Sequence, residues 1–167
     1  MKKLFKLFTI GLLASATFSA CSDKDACKDV ICGDYGQCID GSCLCNAGYE
    51  KGADGLCSVE ERQKFLGSFT GTESCNNSAT STYTMTIIRG SGISQVRIAN
   101  MWNKFVNGVL AEIDGDEITI GNQEPDNDGF TISGSGRIDG NTIKLTYVVT
   151  APDGETDNCI DSQFIKL

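Results

Sequence analysis

Six of the nine cysteines lie between residues 27 and 57, and no other feature limits the fold so tightly. The segment reads Cys27-KDVI-Cys32-GDYGQ-Cys38-IDGS-Cys43-L-Cys45-NAGYEKGADGL-Cys57. A stretch this short cannot bury enough apolar surface to hold itself, so covalent cross-links must do most of that work. Each cross-link contributes about 2–4 kcal/mol. Six cysteines can pair in fifteen ways, and spacing alone does not choose among them. Stable disulfides need an oxidising compartment, so export is expected. Zinc is the weaker reading of such cysteine density. Zinc sites usually set two Cys-x-x-Cys or Cys/His pairs apart from each other, and this chain has no histidine and no Cys-x-x-Cys.

The second half of the cluster, Cys45-x-x-Gly48-Tyr49 and then Cys57 after seven residues, resembles an epidermal-growth-factor-like (EGF-like) module. The resemblance implies the pairings Cys27–Cys38, Cys32–Cys43 and Cys45–Cys57. It identifies a module without naming a ligand. Calcium-binding members of that class carry acidic residues just before the first cysteine and an Asp or Asn two residues after the third. Asp23 and Asp40 occupy two such places, Asp25 is nearby, and Ala26 stands where those members have Glu. A hard cation takes six to eight oxygens, so the resemblance implies a partial calcium site of low affinity. No other cofactor is expected.

Residues 1–20 open with three lysines, run apolar from Leu4 to Ala16 apart from Lys6 and Thr9, and close on small residues. That is the pattern of a secretory signal, and the run is too short for a lasting membrane span. Phe18-Ser19-Ala20-Cys21 resembles the recognition box of bacterial lipoprotein signal peptidase, with Phe18 in the place of the usual Leu. The resemblance implies that Cys21 becomes an acylated N-terminus. Three acyl chains exceed the two signals that stable anchoring takes, and lipidation accounts for the odd cysteine. Ser22-Asp23-Lys24-Asp25 is similar to the acidic export signal of surface lipoproteins. The protein is thus expected to be lipid-anchored in the outer membrane and to face the exterior, with residues 21–26 as tether.

The chain has 14 basic and 22 acidic residues. Loss of Lys2, Lys3 and Lys6 with the leader removes three positive charges and no negative one, which takes the net charge from −8 to −11. Such a balance argues against nucleic acid as a partner. It suits a solvated surface, and cation binding is compatible with it.

Ser58-Val59-Glu60-Glu61 reads as a capping box, and residues 58–65 are expected to form a short helical linker. From residue 66 onward, period-2 alternation takes over, with Gly, Asn and Asp between the runs. Strands are expected near 66–75, 81–89, 94–102, 107–113, 116–121, 129–138, 141–150 and 158–166. Asp139-Gly140 is a strong hairpin signal. As a two-residue turn it pairs Ile138 with Asn141 and Gly136 with Ile143. Phe130, Ile132, Ile138, Ile143, Leu145, Tyr147 and Val149 then share one face. Asp114-Gly115 repeats the logic, with Val109, Ala111, Ile113, Ile118 and Ile120 inward. Gly134 and Gly136 mark a bend or bulge.

The expected fold is therefore mainly β. A disulfide-rich module (27–57) precedes an eight-strand up-and-down barrel (66–167), lipocalin-like in architecture only, with a β-sandwich as the alternative. Open sheet edges are an aggregation hazard, which favours closure. Closure sets the end of the first strand beside the start of the eighth, and Cys75 and Cys159 occupy those places, so a disulfide between them is expected.

No histidine, Gly-x-Ser-x-Gly or phosphate loop is present, so no enzyme is expected. The tight acidic group Asp126 and Asp128, in Glu124-Pro125-Asp126-Asn127-Asp128-Gly129, reads first as a solvated loop and second as a calcium loop. Trp102, on alternation, shares a face with Val96, Ile98 and Asn100 and is expected in the core. Exposed together with Met101 and Phe105, it would form a binding lip instead. The expected function is non-catalytic binding, with the cysteine module as stalk and the barrel presenting loops to a protein or glycan. The alternative is a carrier of a small apolar ligand.

Overall fold

The computed structural model describes residues 26–73 and 75–167. The expected leader, Cys21, Asp23 and Asp25 lie outside the described residues. In the disulfide-rich segment, β1 (Gly36–Ile39) pairs with β2 (Ser42–Cys45), and β3 (Tyr49–Lys51) with β4 (Cys57–Glu60). Asp40-Gly41 closes the first hairpin with φ of 49° and 79°, the left-handed pair that a type I′ turn requires. Disulfides join Cys27 to Cys38, Cys32 to Cys43 and Cys45 to Cys57, with Cα–Cα distances of 5.7, 5.3 and 5.2 Å. These are the pairings that the resemblance implies. Tyr35 and Tyr49 stack at 3.9 Å between ring centroids.

The remaining eight strands are β5 (Gly67–Glu73), β6 (Ser81–Arg89), β7 (Gln95–Ala99), β8 (Val109–Asp114), β9 (Glu117–Gln123), β10 (Thr131–Asp139), β11 (Thr142–Thr150) and β12 (Thr156–Lys166). Each pairs antiparallel with the next, and β12 returns to β5 through Gln163–Thr72, Phe164–Gly71, Ile165–Thr70 and Lys166–Phe69. The ring is closed, so the sandwich alternative falls. Cys75 and Cys159 extend that seam with a disulfide at 4.1 Å between α-carbons.

Inward positions carry the residues that alternation assigns to them. Ile132, Ile138, Ile143, Leu145, Tyr147 and Val149 are buried, as are Val109, Ala111, Ile113, Ile118 and Ile120. Phe65, Phe69, Met85, Phe105 and Phe164 are wholly buried and fill the interior. An eight-strand barrel has an interior about wide enough for its own side chains.

Three expectations are corrected, and one bulge is added. Residues 58–65 are not one helix. Ser58 lies in β4, drawn there by pairing with β3, and only Glu61–Phe65 form a 3-10 turn, whose N-cap Glu60 makes no side-chain capping bond. The Asp139-Gly140 register is also shifted. Asp139 pairs with Thr142 and Ile138 with Ile143, so the turn residues are Gly140, at φ 57°, and Asn141. Likewise Asp114 pairs with Glu117 and Ile113 with Ile118. Both shifts move the pairing by two residues, which leaves every side chain on its face. Third, β7 ends at Ala99 rather than at residue 102, because Asn100, Trp102 and Asn103 take positive φ. That turn reverses the alternation: Met101 is wholly buried and Trp102 half-buried. Met101 and Phe105 are therefore core, and no exposed lip is built from them. In addition, Asp161, at φ 52°, makes a bulge in β12, where the register against β11 shifts between Leu145 and Tyr147. The expected bulge at Gly134 is present, between Ile132 and Gly134 against β9. A Cβ on Gly134 would come within 2.5 Å of the Tyr147 Cβ.

Candidate functional site

The barrel has two unlike ends. At one end lie the turns 90–94, 115–116 and 140–141, and the disulfide-rich segment is fastened there. Arg62 is buried and donates through Nη1 to the carbonyls of Gly90, Gly92 and Gln95 at 3.3, 2.5 and 2.9 Å. Its Nε pairs with Glu60 at 3.0 Å, and Arg89 reaches the same carboxylate at 3.0 Å. The Arg62 hydrogen bond, with Arg89 adding to it, holds the Glu60 carboxyl below the usual range. Lys64 bridges Glu50 and Asp116, both at 2.8 Å. Desolvation opposes the Lys64 charge, yet those two carboxylates raise its pKa above the ordinary value. The Gly115 N–H donates to Glu61 at 3.1 Å. Phe65, which ends the 3-10 turn, is wholly buried in the core.

The opposite end carries the loops 75–80, 100–108, 124–130 and 151–155. Here Glu73 and Asp157, both buried, enter the barrel mouth from β5 and β12, on either side of the seam that the Cys75–Cys159 disulfide extends. Tyr83 donates to Glu73 Oε2 at 2.8 Å, Tyr147 donates to the same oxygen, and the Trp102 N–H donates to Tyr83 Oη at 3.0 Å. Burial raises the Glu73 pKa above its ordinary 4.5, and the neighbouring Asp157 charge adds to that; the two phenol hydrogen bonds oppose it without cancelling it. Burial likewise raises both tyrosines. Glu73 is thus a buried acceptor whose Oε2 is satisfied by two phenols. Asp157 differs. Its Oδ1 accepts the Asn77 N–H at 2.9 Å, while Oδ2 is buried with no hydrogen-bond partner.

Trp102 divides the surface above them into two clefts. One, of about 230 Å³, is lined by Trp102, Phe130, Asn77, Glu155 and Asp157 among others. The other, of about 280 Å³, holds Glu73, Asn103 and Lys104. The Trp102 ring lies 6.0 Å from Phe130 and 6.1 Å from Phe105. Lys104 sits 4.2 Å over Phe130 and pairs with Asp128 at 2.8 Å.

The acidic loop, read from sequence as solvated or as a calcium loop, is tied to the protein's own backbone. Asp126 accepts the N–H groups of Val106 and Asn107 at 3.0 and 2.9 Å, and Glu124 accepts that of Gly129 at 2.6 Å. Lys104 holds the Asp128 carboxyl below its usual range. Among the described residues, one group of three side chains has metal-ligating atoms close together: Glu73, Cys75 and Cys159. Its two sulfurs are bonded to each other and so are not thiolate ligands. Asp40, the described member of the expected calcium set, is exposed in the β1–β2 turn.

Sequence reading missed Glu73 and Asp157 because it sought acidic residues adjacent in the chain. The signal was present in the phase. Glu73 is four residues from Phe69 and Asp157 two from Cys159, both on the inward face. An acidic residue on an inward phase is rare enough to mark. Compared with known proteins, the sequence matches no family model and no curated protein.

Proposed function

We propose that this is an exported protein, lipid-anchored through Cys21 in the outer membrane and facing the exterior, that acts as a non-catalytic binding module. In this reading residues 27–57, which resemble an EGF-like module, serve as stalk, and the barrel presents its far loops to a protein or glycan. One observation carries the reading: the fastening and the clefts lie at opposite ends of one barrel. Arg62, Lys64 and Glu61 join the disulfide-rich segment to the 90–95 and 115–116 turns. Trp102, Phe130 and Asp157 sit at the other end. A tether attached before residue 27 would direct that end away from the membrane. The carrier alternative draws no support from an interior filled by Phe65, Phe69, Met85, Phe105 and Phe164.

Protease shaving of intact cells, with intact-mass analysis of the purified protein, tests the proposal. The expected result is release of barrel peptides from whole cells and a mature mass that begins at an acylated Cys21. Barrel peptides protected until the cells are lysed, or a mature chain without acyl mass, would overturn it.

A further inference from the structure

The cleft beside Trp102 holds an unusual combination. Two aromatic rings, Trp102 and Phe130, stand beside two carboxylates, Asp157 and Glu155, and no lysine or arginine lines the space. Asp157 is 7% exposed, and its Oδ2 lacks a hydrogen-bond partner. A buried carboxylate oxygen left unpaired is costly, so this position calls for a donor from outside the chain. The nearest amide donors are already engaged: the Asn77 N–H goes to Asp157 Oδ1 at 2.9 Å, and Asn77 Nδ2 goes to the Thr156 carbonyl at 2.6 Å. Besides the Ser78 and Thr156 hydroxyls, which donate as well as accept, the cleft offers carboxylate acceptors and π faces. A sugar wants donors and acceptors together, whereas an ammonium group wants negative oxygen and an aromatic face. A volume of about 230 Å³ admits a short alkyl chain bearing one such group. Phe130 carries the chain's own Lys104 ammonium 4.2 Å over its ring, an example within this chain of the same contact between a primary amine and an aromatic face.

We infer that the Trp102–Phe130 cleft binds a primary alkylammonium group, held by the Asp157 carboxylate with Glu155 at the rim. The inference rests on reading the far loops as a binding end, and it names the ligand class. The group could arrive on a free amine or as a lysine side chain of a partner protein. The net charge of −8 would steer either one toward the protein.

The test uses the full-length protein and its single tryptophan, Trp102, as fluorescent reporter. The probes are n-butylammonium, the neutral 1-butanol, methyl β-glucoside, and a short peptide with one lysine. Saturable change in Trp102 emission is expected with n-butylammonium and the peptide, and none with 1-butanol. Asp157→Asn is expected to weaken binding at least tenfold, and the exposed Glu155→Gln two- to threefold. Should Asp157→Asn fail to fold by circular dichroism, Glu155→Gln and the weakening of wild-type binding by salt carry the test. A peptide that binds tenfold tighter than the amine assigns the lysine source; equal affinities assign the free amine. Equal response to 1-butanol, or unchanged affinity in Glu155→Gln together with no salt effect, overturns the inference. A response to the glucoside alone also overturns it, while leaving the far end a binding face. Failure of the shaving experiment would instead remove the surface reading and leave an amine site intact.

Discussion

Arg62→Ala tests how firmly the stalk is joined to the barrel. The side chain is 8% exposed, and its guanidinium meets three carbonyls and one carboxylate. A hydrogen bond from a charged donor contributes about 1.5–3 kcal/mol, but four bonds from one group do not add. Removal of one partner from a buried charged network costs about 3–5 kcal/mol, and that is the expected loss. With a urea slope of about 1–3 kcal/mol per molar, the midpoint should fall by about 2 M, read by circular dichroism with the disulfides intact. Hydrogen exchange should quicken at Gly90 and Gln95, whose N–H groups close the 90–95 turn. Arg89→Ala is the control. Arg89 touches the same Glu60 from a side chain that is 53% exposed, and it should cost under about 1 kcal/mol. If Arg62→Ala costs no more than Arg89→Ala, the joint is not held as described.

Replacement of Cys75 and Cys159 together by alanine opens a loop with a sequence separation of 84 and should cost about 4–5 kcal/mol on the loop-entropy model, measured as a drop in thermal midpoint. Gly71→Ala puts a Cβ onto the Gln163 carbonyl and 2.8 Å from the Phe164 Cα across the seam. A loss of about 1–3 kcal/mol is expected, and wild-type stability would contradict so close an approach. Glu73 binds its proton more tightly folded than unfolded. The stability linked to it is therefore complete below the ordinary carboxylate pKa and is lost as pH rises through the raised value. Urea midpoints of wild type should accordingly fall relative to Glu73→Gln as pH rises from 4 upward, and parallel curves would refute the assignment.

The barrel was legible because its signals were redundant. Alternation in β10 and β11 and turn residues between them both demanded one inward face, and Ile132, Ile143 and Leu145 lie on it. What alternation cannot see is a slip by two, since faces survive it; only backbone pairing distinguishes Ile138–Ile143 from Ile138–Asn141. Phase was lost where residues took left-handed conformations: Trp102 and Met101 exchanged places after Asn100, and Asp161 inserted a bulge. The Ser58–Glu61 capping box was overridden by tertiary pairing of β4 with β3. The far-end site was half legible. Trp102 was noticed, while Glu73 and Asp157, far apart in sequence, meet only because the ring closes.

Closure of that ring is the claim on which the rest depends, and nuclear Overhauser contacts across the β5–β12 seam test it directly. Cross-strand contacts between Gly71 and Phe164 and between Thr72 and Gln163 are expected, with slow amide exchange along both strands. Missing contacts, with fast exchange along β5 and β12 as two open edges, would contradict it.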